Sequence, residues 1–438
     1  MNILGLDLGS SSVKAGIVRD GRIIGSLVRA SYPTHFDGPK VEVDPAKVLK
    51  AVTHAIAGLG PQARRVDAIG LSVMAPAWIA MDHAGKPLTP IVTHQDRRSI
   101  QIARDLEARV GMRRFLNVAG NRPFPGGISI TTFAWYAKHH PQIIRDADLI
   151  GHLNTFLHRQ FTGRRVIDPS NASFTGLYKT LKLGGWSDEL CEAAGVCVSK
   201  FPQIFESDQI PGTISAAAAH RFGLVEGTPV MAGMIDTGAA LMLFGARVGQ
   251  LLNVSGSTDV LCLCADRPRP HENLLTRALG IGRLWLSVGT LAAAGSAISW
   301  ARQQFFRDLS TGDFYRLLAR LARKSKYLPD MPVVFEPYLA GERTSIEQKT
   351  AGFLNLTLAT TRQDLLMSII DALANASAAR LQLLKGRGVR IRPVVFVSGG
   401  AAGALHQVLY RDWPGRWRFV REQEASLRGL SRLTPRAV

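Results

Sequence analysis

The chain has 438 residues, 46% of them hydrophobic and 20% charged, with a formal net charge of +19. That length accommodates two or three domains with sizeable cores, and no apolar run approaches the roughly 20 residues of a membrane helix. The start, Met-Asn-Ile-Leu-Gly-Leu-Asp, has no basic segment ahead of its apolar residues, which argues against a signal peptide and for a cytoplasmic protein.

The positive charge is spread along the chain, with one concentration of seven Arg between Arg411 and Val438 against Asp412, Glu422 and Glu424. No nucleic-acid motif accompanies it, so a general preference for Arg together with an anionic nucleotide ligand explains the charge more simply than nucleic acid does. Cys191, Cys197, Cys262 and Cys264 read as reduced thiols, because the i, i+2 pair at 262 and 264 forms no zinc site by itself.

In chain order, residues 3–18 read as a β-hairpin: an apolar run around Asp7, a turn of Gly9 and the hydroxyls of Ser10, Ser11 and Ser12, then a second apolar run carrying Lys14. Strand follows over 22–30, helix over 44–59 from the Asp44-Pro45 start signal, and strands over 67–74 and 78–82. Residues 99–109 and 130–139 have helical spacing. A second block opens with a strand at 228–232, after which Asp236 begins a helix or turn. Strands over 250–255 and 260–264 flank a turn at Gly256-Ser257-Thr258-Asp259. A third turn, Ser398-Gly399-Gly400-Ala401-Ala402-Gly403, separates the strand 394–397 from a helix. Strands alternating with helices give an α/β fold in two halves, expected to enclose a cleft.

These turns suit phosphate. A small, hydroxyl-rich turn aims backbone N–H groups and Ser side chains at anionic oxygens, and a neighbouring carboxylate such as Asp7 can hold Mg²⁺. The same residues also read as an ordinary hairpin with a polar turn. Two such turns, at 10–12 and 256–258, can grip a triphosphate, while Gly399 and Gly400 let the backbone lie close to an adenosine. Asp236 stands at a strand end, where a carboxylate can orient an attacking hydroxyl and accept its proton. Its bland reading is a helix N-cap.

The whole chain resembles the FGGY carbohydrate kinases of the actin/hexokinase-like ATPase fold. The resemblance runs in order through Asp7-Leu-Gly-Ser-Ser-Ser-Val-Lys14, Ile69-Gly-Leu-Ser72, Gln95-Asp96-Arg97-Arg98, Asp168-Pro-Ser-Asn-Ala-Ser-Phe-Thr-Gly176 and Trp186-Ser187. It continues through Gly227-Thr-Pro-Val230, Asp236, Gly256-Ser-Thr258, Pro337-Tyr-Leu-Ala-Gly-Glu-Arg-Thr344 and Val397-Ser-Gly-Gly-Ala401. It implies two actin-like (ribonuclease H-like) ATPase domains, over 1–233 and 234–438, enclosing a central cleft with ATP and Mg²⁺.

By the same resemblance Asp7 lies near the metal, and Ser10, Ser11, Ser12 and Lys14 form the first phosphate loop. Gly256, Ser257 and Thr258 form the second, Gly399 and Gly400 the adenosine loop, and Asp236 the catalytic base. Met74, His94, Asp96 and Arg98 fall on the substrate side, where the bland reading of Asp96 and Arg98 is a local salt bridge.

Departures from the family pattern concern the acceptor. Glycerol-phosphorylating relatives carry Arg-Glu and xylulose kinases Met-His where this chain has Ala75-Pro76. His94 replaces a common Trp, Thr132 stands near a common Lys, and an Asn of some adenosine loops is absent near Ala404. The expectation is an ATP-dependent kinase of a ketose such as a pentulose. Gluconate, sedoheptulose, glycerol or another polyol are the alternative acceptors, and a non-catalytic nucleotide-binding sensor or scaffold is the alternative class. Relatives are often dimeric, so a homodimer is expected by analogy, with no membrane and no nucleic-acid partner.

Overall fold

A computed structural model describes residues 1–323, 333–400 and 403–438. The chain forms two compact units, one of Met1–Arg247, Cys264–Ser287 and Glu424–Val438, the other of Val248–Leu263 and Val288–Gln423. The division expected between 233 and 234 runs inside the first unit, because the residues after 233 stay hydrogen-bonded to its main sheet.

In the first unit, β1 (Ile3–Leu8) is buried along its whole length and pairs antiparallel with β2 (Ser12–Arg19), which pairs with β3 (Arg22–Ser31). Helix α1 (Pro45–Ala57) starts where the sequence signals it: Asp44 accepts a 2.8 Å bond from the Ala46 amide and Pro45 occupies the first turn. Its apolar face, including Val48, Val52 and Ile56, joins Leu4, Leu6, Val13 and Ala15 in one core. β4 (Ala68–Val73) lies parallel to β1, and β5 (Ala77–Met81) belongs to a separate five-stranded sheet.

The strand expected at 228–232 shortens to β6 (Pro229–Val230). Past it, Met231 donates to Ile69 O, whereas Ala232 and Gly233 turn to the carbonyls of Gln209 and Ser207. Gly233 has φ +79°, and a Cβ there would lie 2.6 Å from Leu71 O. This close approach returns the chain to β4 as β7 (Met234–Ile235), followed by α2 (Asp236–Leu243). The main sheet thus runs Gly212–Thr213, β6, β4, β1, β2, β3, with β7 also on β4. The C-terminal residues pack against it: Leu427 and Leu430 are buried with Ile3, Val18 and Met231, and Arg436 pairs with Glu206 and Asp208.

In the second unit, β8 (Leu251–Ser255) and β9 (Asp259–Ala265) form the second hairpin. Its main core packs α3 (Gly295–Phe305) with α4 (Arg362–Lys385). β10 (Val394–Ser398) lies parallel to β8 and is followed by α5 (Gly403–Tyr410). Among the described residues no helix is long and apolar enough to cross a membrane.

Candidate active site

Three parallel strands of the first unit end side by side. Asp7 of β1 stands opposite Ser72 of β4, which stands opposite Met234 of β7. The segments leaving these strands are the Gly9–Ser11 turn, Met74 onward, and Asp236. They therefore emerge at the same end of the sheet, where α/β proteins bind ligands.

The first turn faces its carbonyls inward. Tyr32 donates to Gly9 O, Thr34 Oγ1 to Ser10 O at 2.8 Å, the Tyr32 amide to Ser11 O at 2.9 Å and the Gly9 amide to Ser12 O at 3.0 Å. The hydroxyls of Ser10, Ser11 and Ser12 make no hydrogen bond to the described residues, and Ser11 is exposed. A turn with its acceptors engaged and its donors outward is built to meet an anion.

Behind it, Asp7 is buried, with Oδ1 accepting from Ser72 Oγ at 2.6 Å and Oδ2 from Ser426 Oγ at 2.8 Å. Burial raises its pKa; the Ser72 hydroxyl, the Lys14 charge and the Ser426 hydroxyl pull it back down. Lys14 faces Asp7 across the hairpin, but its ammonium is ion-paired with Glu424. Asp7 is thus a buried carboxylate without a cation of its own, beside an anion-directed turn. That suits Mg²⁺, which binds through one or two carboxylates plus phosphate and water. Among the described residues no group of three His, Cys, Asp or Glu can hold a metal alone.

Asp236 is half-buried and is the first residue of α2, with Ile235 as N-cap. The N-cap reading of Asp236 is therefore replaced: its Oδ1 accepts from the adjacent Thr237 amide at 2.6 Å. The backbone before it is tethered, since the Ile235 amide donates to Ser170 Oγ at 3.0 Å and Ser170 in turn donates to Asp168. Asp168 is fully buried and also accepts from Asn154 Nδ2 at 2.8 Å and Asn171 Nδ2 at 2.6 Å. Burial pushes it up to about 6 against the opposing pull of these bonds.

Met74 is buried, and its amide donates to Leu8 O at 2.8 Å, so β1 and β4 leave the sheet together. Beyond the cis Ala75-Pro76 bond, Trp78 is buried 4.5 Å (centroid to centroid) from Tyr136, and its Nε1 has no partner among the described residues. Asp96 and Arg98 turn toward each other. Arg98 bonds both Asp96 oxygens and Glu42, Asp96 also holds the Val41 amide at 2.8 Å, and both side chains are at most 5% exposed. That is the geometry of a loop clamp. His94 is half-buried in the same loop, its carbonyl accepting from Arg97 at 2.9 Å.

In the second unit the Gly256–Thr258 turn repeats the first. The Ala294 amide donates to Ser257 O at 2.8 Å, the Gly295 amide to Gly256 O at 3.1 Å and the Gly256 amide to Thr258 O at 2.8 Å. The Ser257 and Thr258 hydroxyls make no bond to the described residues. Gly399 lies against this hairpin: with φ +104°, a Cβ there would sit 2.2 Å from Ser255 O, so only glycine fits. Gly400 follows it, and Ala401 and Ala402 of the same turn lie outside the described residues.

The structure thus gathers Asp7, Ser10–Ser12, Lys14, Met74 and Asp236 at one sheet end, and Gly256–Thr258 with Gly399 at another. Sequence reasoning missed Ser72, Ser170, Glu424 and Ser426 as supports. For Ser170 a signal existed, since Asp168-Pro169 is the same helix-start pair as Asp44-Pro45. Glu424 and Ser426 lie more than 400 residues from the side chains they bond, and no local pattern marks them.

Family models described as the N-terminal and C-terminal domains of the FGGY family of carbohydrate kinases match residues 2–243 and 251–411. Xylulose kinase of Escherichia coli (strain K12) is 24% identical over 94% of this chain and 85% of its own length. Gluconokinase of Bacillus subtilis (strain 168) is 24% identical over 84% and 74%. The crystal structure of xylulose kinase from Rhodospirillum rubrum shares the fold with a TM-score of 0.84 at 21% identity, covering 99% of this chain and 92% of that one. With both domain models matched across nearly its whole length, the chain belongs to the FGGY family of carbohydrate kinases.

Proposed function

We propose that this sugar kinase transfers the γ-phosphate of ATP to a hydroxyl of a ketose of the pentulose class, with Asp236 as the base. Kinase membership implies ATP use. The observation that carries the reading is the common sheet end, where β1, β4 and β7 deliver Asp7, the serine turn and Asp236 together. Xylulose kinases align with almost the full chain, which supports the acceptor class.

In this reading the amides and hydroxyls of Ser10–Ser12 bind phosphate oxygens; the Gly256–Thr258 turn of the second unit presents the same kind of donors. Gly399 and Gly400 admit adenosine against the backbone. Asp7 would hold Mg²⁺, which neutralises charge on the phosphates when bound. Asp236 accepts a hydrogen bond from the acceptor hydroxyl, orients it toward the γ-phosphate and takes its proton late in the transfer. The Ser170 bond to Ile235 keeps that carboxylate in place. Lys14, paired with Glu424, contributes less positive charge to phosphate than its position in the loop suggests.

A sugar acid is the second reading, favoured by the gluconokinase match at equal identity. Coupled phosphorylation assays on a panel of ketopentoses, polyols and sugar acids separate the two. The expected result is turnover of a ketopentose, and faster turnover of a sugar acid would replace it. Asp236→Asn should lower kcat by about 10²–10⁴-fold, the usual contribution of a general base, while ATP still binds. Near-normal turnover would remove Asp236 from the role.

A further inference from the structure

A cavity of about 740 Å³ opens in the first unit around the strand pair Val166–Ile167 and Gln203–Ile204. It shares no lining residue with the sheet end that carries Asp7 and Asp236. Arg159, Arg164 and Arg165 line it, together with Trp186, Phe201 and Phe205, and no Asp or Glu among the described residues does so. Its volume falls in the ~300–1,000 Å³ range of small-molecule sites.

The lining is organised in advance. Arg159 is held by the carbonyls of Gly163 and His83, neutral partners that leave its charge uncompensated. Arg165 is fixed by Ser199 O at 2.6 Å and is partly neutralised by Asp148 at 3.1 Å. Arg164 is exposed, and its guanidinium has no partner among the described residues. The Trp186 ring is anchored by its Nε1 bond to Pro202 O at 3.0 Å and rests 5.1 Å (centroid to centroid) from Phe201, which is buried.

We propose that this cavity is a second ligand site, separate from the reaction centre, that takes a phosphate monoester carrying a planar ring, the chemistry of a nucleoside monophosphate. Guanidinium groups match phosphate oxygens with paired N–H donors, and Arg164 has its full donor set available. An aromatic wall beside these cations supplies a stacking surface for a flat heterocycle. Both features are needed: charge alone would suit inorganic phosphate, and rings alone an apolar ligand. The proposal stands whether or not the acceptor sugar is a pentulose.

The test is calorimetric titration of the full chain with a nucleoside monophosphate, alone and with a non-hydrolysable ATP analogue saturating the donor site. One binding event should survive the analogue. Arg164→Glu should weaken that event by about tenfold or more, the scale of losing a charge-assisted contact, while ATP-dependent phosphorylation stays at the wild-type rate. Trp186→Phe should abolish any fluorescence quench that accompanies the surviving event. Complete displacement by the analogue, or equal binding by Arg164→Glu, would overturn the site. Inorganic phosphate binding as tightly as the monophosphate would overturn the role of the rings.

Discussion

Behind the Gly9–Ser11 turn stands a carboxylate held by two hydroxyls, and behind the Gly256–Thr258 turn stands one held by a guanidinium. Outward, the turns look alike, with carbonyls engaged and hydroxyls presented. Inward they diverge. Among the described residues the Asp7 carboxylate accepts from the Ser72 and Ser426 side chains alone, and it sits next to a lysine already paired with Glu424. Asp259 accepts from Asn253 at 2.8 Å and pairs with buried Arg380 at 2.8 Å, and Tyr410 closes the group by donating to Asn253 at 2.6 Å. A carboxylate backed by neutral donors remains available to a cation, whereas one paired inside the core is committed to structure. Of two similar turns, only the one backed by Asp7 thus keeps a carboxylate open to a cation.

The sharpest way to break this comparison is to remove the countercharge. Arg380→Leu leaves Asp259 buried and uncompensated, and should cost about 3–5 kcal/mol of stability. Adding Asp259→Asn in the same chain should recover most of that loss. Chemical denaturation reads both, and a loss under 1 kcal/mol for the single variant would show that Asp259 is no more committed than Asp7.

Asp7→Asn should do the reverse. Removing a group that acts on the phosphates lowers kcat by about 10²–10³-fold, or roughly 2.7–4 kcal/mol. The thermal midpoint should hold or rise, because a buried charge has gone while both serines keep a partner. Retained kcat with reduced stability would place Asp7 in the same class as Asp259.

Acid should separate the two units next. His158 of the first unit is fully buried, its Nε2 donates to Met231 O at 3.1 Å, and burial pulls its pKa down to about 4; His152 beside Ser129 falls to about 3. Above pH 6.5 these rings are neutral in both folded and unfolded chains. As pH falls from 6.5 to about 4 the unfolded chain takes up protons that folded His158 refuses, so stability drops. The slope reaches ~1.4 kcal/mol per pH unit for each histidine, on the order of 3 kcal/mol for His158 across the window. His406 of the second unit is also lowered by burial. His158→Gln should flatten the pH–stability curve more than His406→Gln, and equal flattening would count against the contrast.

How much of this was legible in the sequence follows from range. The hairpins, the Asp44-Pro45 helix start and the helix over 130–139 are set by local periodicity and turn chemistry, and they appear close to where the residues put them. Asp236 was readable as a carboxylate at a strand end, but its rank inside the helix was not, because the Ser170 bond to Ile235 decides it from 65 residues away. Asp96 and Arg98 show the opposite limit. The family resemblance put the pair on the substrate side, with a local salt bridge as the bland reading, and Glu42 and the Val41 amide, more than 50 residues upstream, tie it into a closed network. Residue type and spacing reveal which groups can do chemistry; long-range partners decide which are left open to do it.

The finest test deletes one hydroxyl on each side. Ser426→Ala removes the 2.8 Å bond to Asp7, and Tyr410→Phe removes the 2.6 Å bond to Asn253. Each should cost about 0.5–1.5 kcal/mol, the net value of one hydrogen bond, so stability alone does not distinguish them. Catalysis does. The Ser426 bond favours the charged form of Asp7, and its loss leaves burial less opposed, which raises the pKa of that carboxylate further. More of the enzyme then carries neutral Asp7 at mildly acidic pH, and the acid limb of the kcat profile moves to higher pH. Tyr410→Phe weakens a network in which Asp259 is paired with Arg380 inside the core, so its kcat profile should keep the wild-type shape. An acid limb that moves equally in both variants would mean that the hydroxyls behind Asp7 and those behind Asp259 serve the turns in the same way.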